Sequence, residues 1–349
     1  MSMYLRDISA PKSRRRHPAF VFALSTLSLV SYTAIAGSPT SVSAAAKAVT
    51  FQKSTVTFIN AKETALMLLA NDPYRAQLSP TDRQILAVSG KPVSAQALDA
   101  SLSKAGRDFT EKETAMVTAA LATAAKRLAG IGVTLRLPPT IKIAKHDAAI
   151  FSGSPYTRAN VVFLNDAFVD AVPAPLLATV MAHELSHIAS RVNPMARAAV
   201  YKLVGFTPCS VPLSSIGGDL RDRIITNPDT EDFGKFCIRL PEQSTTKWYT
   251  NLIIASAPIT GANFGEVLRP VLIEVNTAGT SAVVINGKTS VRQLDEAYAK
   301  AIGGNGLEEP FHPEEIVAIN LQVALDGQPT KGSPNLAFAN KVAQQLGAK

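Results

Sequence analysis

Residues 180–189 read Val-Met-Ala-His-Glu-Leu-Ser-His-Ile-Ala, so two histidines stand four positions apart and a glutamate directly follows the first. Apart from these three residues the run is uncharged, as a helix buried on all sides requires. Residues four apart share one face of an α-helix. His183 and His187 are therefore expected to point their imidazoles in the same direction, with Glu184 beside them.

The sequence on either side predicts where this helix begins and ends. Pro175 suits the first turn, because an amide hydrogen there has no partner within the helix. No helix breaker follows until Asn193-Pro194, so the helix is predicted to extend from Leu176 to Arg191. A further helix is predicted from about Met195 to Val204.

Two imidazoles on one helical face are typical ligands of zinc, and a catalytic zinc ion keeps one coordination position for water. The metal lowers the pKa of that water to about 7, and Glu184 is placed to take up its proton. The chain contains only five histidines, and by chance the pattern is expected about 0.003 times. The competing interpretation is a core helix with two hydrogen-bonded histidines, but an unpaired buried Glu184 is then unfavourable.

Residues 180–189 resemble the zinc-binding helix of the zincin metallopeptidases, and the chain is also similar to uncharacterised exported bacterial proteins of that type. The resemblance implies an α+β fold with a sheet over the active helix. It also implies an edge strand along which a peptide could lie antiparallel, which we assign to Val161–Leu164. The Gly and third His that follow in metzincins are absent here, so the likeness is to gluzincins, whose third zinc ligand is a downstream carboxylate.

The best segment for that carboxylate begins at Pro313, which opens a predicted helix with Glu314 and Glu315 in its first turn. We choose Glu315 as the third ligand because the apolar stripe of the helix lies near it. Acids in a first turn also complement the helix dipole without binding metal. Glu314 and Asp229, the latter in an Asn-Pro-Asp turn, therefore stay open as alternatives.

The sequence departs from the gluzincin pattern at one further position. Family members often have an aspartate four residues after the ligand glutamate, where it orients a zinc histidine, but here that residue is Ile319. Asn320 is an alternative for the same role. His312, one turn before Glu315, is a candidate oxyanion donor, although a surface histidine flanking the helix is the simpler interpretation.

The chain divides by pattern into a signal peptide (1–36), a linker (37–50), a helical N-terminal region (51–135) and a zincin-like catalytic domain (136–349). Helix starts are predicted at Ser79-Pro80 and at Thr110, where a glutamate three residues later completes a capping box. Strands are predicted at Thr140–Ala144 and Asn160–Asn165, and a long loop from Thr207 to Gln243. The mixture of helices with strands that do not alternate with them indicates an α+β fold.

The first 36 residues predict export. A basic stretch precedes an apolar run from Phe20 to Ala36, and small residues suited to signal peptidase end it. An uncleaved membrane anchor is the alternative, and it would be the chain's only membrane contact. This segment holds five basic residues and one acid, so +4 of the overall +8 charge leaves with it. The remaining excess is mild and argues against nucleic-acid binding.

The two cysteines, Cys209 and Cys237, are expected to form one disulfide in an exported protein. Two separate buried thiols are the alternative. The resemblance and the motif together predict a periplasmic or extracellular metallopeptidase with one zinc ion per chain and a peptide or protein substrate. Two alternatives stay open: a zinc amidase that acts on envelope polymers, and an inactive zincin-fold protein that binds envelope components.

Overall fold

The computed structural model describes residues 48–150, 155–230, 233–260, 267–304, 311–327 and 335–348. The predicted signal peptide and most of the predicted linker lie outside these ranges. The last three residues assigned to the linker, 48–50, belong to the first strand instead. Within the ranges described, no helix combines the length and the apolarity needed to cross a membrane.

The described residues form a mixed α+β fold, as predicted. In chain order the strands are β1 Ala48–Phe51, β2 Ser54–Phe58, β3 Gly106–Arg107, β4 Thr140–His146, β5 Tyr156–Arg158, β6 Val161–Asn165, β7 Phe206–Pro208, β8 Ile224–Ile225, β9 Phe236–Glu242, β10 Thr245–Ala255, β11 Leu268–Val275, β12 Val284–Ile285, β13 Lys288–Thr289 and β14 Val291–Gln293. The helices are α1 Ala61–Leu69, α2 Pro73–Ala76, α3 Pro80–Leu86, α4 Ala95–Leu102, α5 Glu111–Gly130, α6 Asp166–Ala171, α7 Ala174–Val192, α8 Pro194–Leu203, α9 Gly218–Arg221, α10 Glu296–Ala301, α11 Pro313–Asp326 and α12 Leu336–Leu346.

The first sheet has the strand order β1-β2-β4-β6-β5, and β3 pairs with the end of β4. Strands β2, β4 and β6 are parallel to one another, whereas β1 and β5 run antiparallel to their neighbours. The assignment of Val161–Leu164 to the sheet edge is therefore wrong, since β6 is paired on both sides. All five of its residues are buried, as an interior strand requires. The edge position belongs to β5.

The first sheet and the helix packing continue across residue 135, so no domain boundary falls there. Strands β1 and β2, from the predicted helical region, extend the same sheet as β4 and β6, and helix α5 packs along α7. Both predicted helix starts are confirmed, because Ser79 caps α3 and Thr110 caps α5 through a capping box. The N-terminal region is thus part of the scaffold that holds α7, the helix with the two histidines.

The second sheet has the order β14-β11-β10-β9-β7, with β8 paired to β10. The loop predicted from Thr207 to Gln243 is therefore wrong in part, because β8, α9 and β9 lie inside it. Its strands have short or irregular sequence patterns, and they are fixed by pairing with the long strand β10. The predicted disulfide is present and joins Cys209 to Cys237.

Helix α7 lies at the centre of the main hydrophobic core. Thirteen of its residues are buried, including the whole stretch from Met181 to Ser190. It packs against α5 on one side and α11 on the other. Helix α11 begins with His312 as its N-cap and ends at Gly327, whose φ of 65° is the left-handed conformation that favours glycine at a helix C-terminus. The two helices that carry the predicted metal ligands are thus neighbours in the core.

Candidate metal centre

The two histidines of α7 face the same point in the core. Their ring centroids are 4.7 Å apart and the rings are nearly perpendicular. His187 is completely buried and His183 is 8% exposed. The helix bounds, Ala174–Val192, agree with the predicted ones to within two residues at each end. The 3.6-residue period is sufficient to bring these imidazoles together, as the sequence predicted.

Glu315 of α11 completes a group of three possible metal ligands with His183 and His187. Its Oε2 atom lies 3.3 Å from Nε2 of His183 and 3.6 Å from Nε2 of His187. In a tetrahedral zinc site with bonds of about 2.0–2.1 Å, neighbouring ligand atoms are about 3.3 Å apart. The observed separations are therefore close to those of a tetrahedral metal site.

Nε2 of His187 provides a second test of this fit. The atom is buried and has no hydrogen-bond partner among the described residues, although a buried ring nitrogen normally has one. A metal ion at this point would satisfy it. The residues present therefore fit a bound metal ion.

A second group of possible ligands shares His187 and adds Glu184 and Asp229, with the three ligand atoms within 4.8 Å of one another. Three carboxylates, from Glu184, Asp229 and Glu315, thus converge on two imidazoles in a region that is at most 9% exposed at any of these residues. Burying several carboxylates together is strongly unfavourable unless a cation compensates them. The electrostatics of the site therefore favour a positive ion.

The pKa shifts of His187 and Asp229 also indicate that a positive charge is stabilised at this site. Burial opposes protonation of His187, yet the carboxylates of Glu315, Asp229 and Glu314 raise its pKa well above the ordinary value. Burial raises the pKa of Asp229, with the charge of His187 opposing and that of Glu315 adding to the effect.

Glu314 does not belong to the ligand group but orients one of its members. Its Oε1 lies 3.0 Å from Nδ1 of His187, on the side of the ring away from Glu315. Its Oε2 accepts hydrogen bonds from Ser190, at 2.6 Å, and from the Tyr201 hydroxyl. Burial alone would raise the pKa of Glu314, but these three contacts outweigh it and lower the pKa to about 2. The carboxylate therefore stays ionised and holds the imidazole of His187 in position.

The orienting contact that the sequence predicted four or five residues after Glu315 is not made from those positions. Ile319 occupies the first of them, and the alternative Asn320 instead donates to the carbonyl of Ile316 in its own helix. Adjacent positions on a helix point about 100° apart, so Glu314 and Glu315 reach opposite edges of the same imidazole. Of the two glutamates, Glu315 is the one whose carboxylate faces Nε2 of both histidines.

His312, the candidate oxyanion donor, and three other polar side chains have structural contacts. His312 is buried, not on the surface, and its Nδ1 accepts the amide of Glu314 at the start of α11. Arg158 binds Asp72 and backbone carbonyls of α1, and the Tyr249 hydroxyl donates to Glu242. Tyr201 reaches the site only through Glu314.

Sequence reasoning missed the contribution of Asn227, whose side-chain amide donates to Oε1 of Glu315 at 2.5 Å. It also missed Thr157 and Arg191, which bind Asp229. The Asn-Pro-Asp sequence predicts a turn, but no sequence signal indicates that this turn contacts residues far away in the chain.

A scan of protein-family models finds no family that matches this chain. Comparisons with curated proteins and with solved structures find no match either. A functional assignment therefore depends on the side-chain chemistry of the site.

Proposed function

We propose that the chain is an exported, gluzincin-like zinc metallopeptidase that hydrolyses peptide bonds, with zinc held by His183, His187 and Glu315. The observation that carries the proposal is the spacing of their ligand atoms, 3.3 and 3.6 Å around Oε2 of Glu315. Two imidazole nitrogens and one carboxylate oxygen form a set that suits zinc better than magnesium or calcium, which prefer oxygen ligands alone.

Three protein ligands leave a tetrahedral ion with one further position, which is the arrangement of catalytic zinc sites. A bound zinc ion supplies Lewis-acid polarisation of a carbonyl group and acidifies water. Glu184 lies within 4.8 Å of the His187 and Asp229 ligand atoms. In this proposal the carboxylate of Glu184 takes a proton from the attacking water molecule and returns it to the leaving amine.

The disulfide supports the compartment in this proposal. Disulfides persist in oxidising environments outside the cytoplasm. The disulfide here crosslinks Cys209 to Cys237, at the two ends of the segment that contains Asp229. Together with the basic and apolar N-terminal sequence, it supports a periplasmic or extracellular enzyme whose substrates are peptides or proteins.

One observation favours a second candidate function, a binding protein with a structural zinc ion. Structural zinc sites have four protein ligands and no open position, and Asp229 forms a second group of possible ligands with His187 and Glu184. The presence of Glu184 favours the enzyme, because a closed structural site has no use for a base beside the metal.

The test measures hydrolysis of casein and of a mixed peptide library by the purified chain and by Glu184→Gln, each with its zinc content determined. We expect Glu184→Gln to keep its zinc and to lose hydrolysis, because it removes the base and no ligand. Glu296→Gln, which changes an exposed first-turn acid of α10, is the matched control and should keep both. The same pair is compared in an Asp229→Ala background, which removes the carboxylate that lies beside Glu184 and His187. Equal rates with and without Glu184→Gln in both backgrounds, zero included, contradict the proposal.

A further inference from the structure

Residues Thr226–Thr230 form a loop, called here the latch, that follows strand β8 and lies over the metal centre. Its first contact is with the third ligand: the Asn227 side chain donates to Oε1 of Glu315 at 2.5 Å. The other oxygen of Glu315, Oε2, faces the two histidines. The latch thus binds the oxygen of Glu315 that is not directed at the ligand atoms.

The second contact is with the edge strand β5. Oδ1 of Asp229 accepts the backbone amide of Thr157 at 2.6 Å and the Thr157 hydroxyl at 2.8 Å. Thr157 lies opposite Val162 in β6, and its amide hydrogen points away from that strand to the open side of the sheet. A peptide that extended the sheet would use this donor for a carbonyl oxygen. Asp229 occupies the place that such a carbonyl would take.

Arg191 joins the latch to the active helix. One of its nitrogens, Nη2, donates both to Thr157 Oγ1 and to the backbone carbonyl of Asp229, each at 3.1 Å. The same guanidinium donates to the carbonyl of Ala159. The latch is therefore fixed to α7, β5 and α11 at once.

Residues of the N-terminal region bind the segment that leads into the latch. The start of α3 binds three points in residues 222–226: Thr81 donates to the carbonyl of Asp222, Ser79 donates to the carbonyl of Ile224, and the amide of Thr226 donates to Asp82. These bonds join positions more than 140 residues apart. They support the loop at its start, in addition to its contacts with Glu315, Thr157 and Arg191.

With the latch in place, the site is shielded. Glu184 is 3% exposed and Glu315 is 2% exposed, too little for a polypeptide to reach either. We propose that the latch is an autoinhibitory segment that occupies the peptide-binding edge of the site, with the carboxylate of Asp229 in the place of a substrate carbonyl. The inference rests on the proposed function, because it assumes metal at His183, His187 and Glu315. Release of the latch would free the Thr157 amide and open the buried metal ligands to a substrate or a small chelator.

The test uses the full disulfide-bonded chain loaded with cobalt(II), whose visible absorption reports a change of ligand. The probe is acetohydroxamate, a small chelator that needs an open coordination position. Asn227→Asp keeps the oxygen that accepts the Asp229 amide but sets a negative charge against Glu315. Asp229→Ala removes the contacts with β5. Asp222→Ala, an exposed side chain in the same disulfide loop, is the control.

We expect Asn227→Asp and Asp229→Ala to bind acetohydroxamate about tenfold or more tightly than the wild type, because probe affinity scales with the fraction of open molecules. Asp222→Ala should match the wild type. Circular dichroism checks that each variant is folded, and the two variants disturb different contacts, so failure of one to fold leaves the other as a test. Equal probe affinity in all cobalt-loaded proteins contradicts the autoinhibitory role of the latch but does not affect the proposed zinc site. A wild-type chain that binds neither cobalt nor zinc overturns both.

Discussion

The contact between Glu314 and His187 gives a prediction that separates the orienting glutamate from the ligand glutamate. Glu314→Gln keeps the side-chain shape but removes the charge and one of the two acceptor oxygens. His187 is fully buried and its Nδ1 lies 3.0 Å from Glu314, so water cannot replace the lost acceptor. Removing such a partner of a metal-binding histidine typically lowers metal affinity about 10–100-fold. We expect a loss in that range, which corresponds to about 1.4–2.7 kcal/mol.

The same change affects the metal-free protein. The pKa of Glu314 is lowered from 4.5 to about 2 in the folded state, and a difference of this size stabilises the fold by about 3 kcal/mol at neutral pH. Because the folded pKa is depressed, the stabilisation is complete above the unfolded pKa and is lost as the pH falls through about 2. The stability difference between wild type and Glu314→Gln should therefore narrow from about 3 kcal/mol at pH 7 to about 2 kcal/mol at pH 3.5.

Two assays measure these effects. Zinc affinity is obtained by competition with a chelating fluorophore, and stability by urea denaturation of the chelator-treated protein at pH 7, 5 and 3.5. Glu296→Gln is the control in both, and Glu315→Gln should lose much more zinc affinity than Glu314→Gln. A folded Glu314→Gln variant whose zinc affinity stays within twofold of the wild type would refute the orienting role.

Three further predictions concern stability, each measured by urea denaturation. Replacing Cys209 and Cys237 by serine opens a loop with a sequence separation of 28 and should cost about 3–4 kcal/mol; a loss below about 1 kcal/mol contradicts this. Lys145→Met leaves the carboxylate of Glu113, bound at 2.7 Å and 9% exposed, without its partner and should cost about 3–5 kcal/mol; a neutral effect is the contrary result. Burial raises the pKa of Asp82 from 3.8 to about 7. Between about pH 4 and pH 7 the folded chain therefore keeps a proton on Asp82 that the unfolded chain releases. The contribution of Asp82 to the free energy of unfolding falls as the pH rises through this range. Asp82→Asn should flatten that slope, and an unchanged slope argues against the shift.

The active helix was predictable because its information is local. The spacing of His183, Glu184 and His187 sets their relative directions on α7, and Asn193-Pro194 fixes its end. The start of α11 was predictable for the same reason, with Pro313 opening the helix and two acids in its first turn. The sequence also left open which acid faces the histidines, because that depends on how α11 is rotated against α7.

The order of strands and the path of the latch were not predictable from local pattern. Val161–Leu164 is apolar throughout, which indicates burial, but this pattern does not show that Tyr156–Arg158 lies outside it in the sheet. Asp229 binds Thr157, 72 positions earlier in the chain, and no periodicity encodes such a contact. The sequence likewise suggested a separate helical region before residue 135, whereas β2 pairs with β4 in the central sheet.

The most direct test of the account is the metal content of the purified mature chain, combined with X-ray absorption at the metal edge. The account predicts one zinc ion per chain, a coordination shell of two imidazoles and oxygen ligands, and loss of the ion in Glu315→Gln but not in Glu296→Gln. A wild-type chain that stays free of zinc when zinc is supplied, or a zinc ion that remains fully bound in Glu315→Gln, would contradict it.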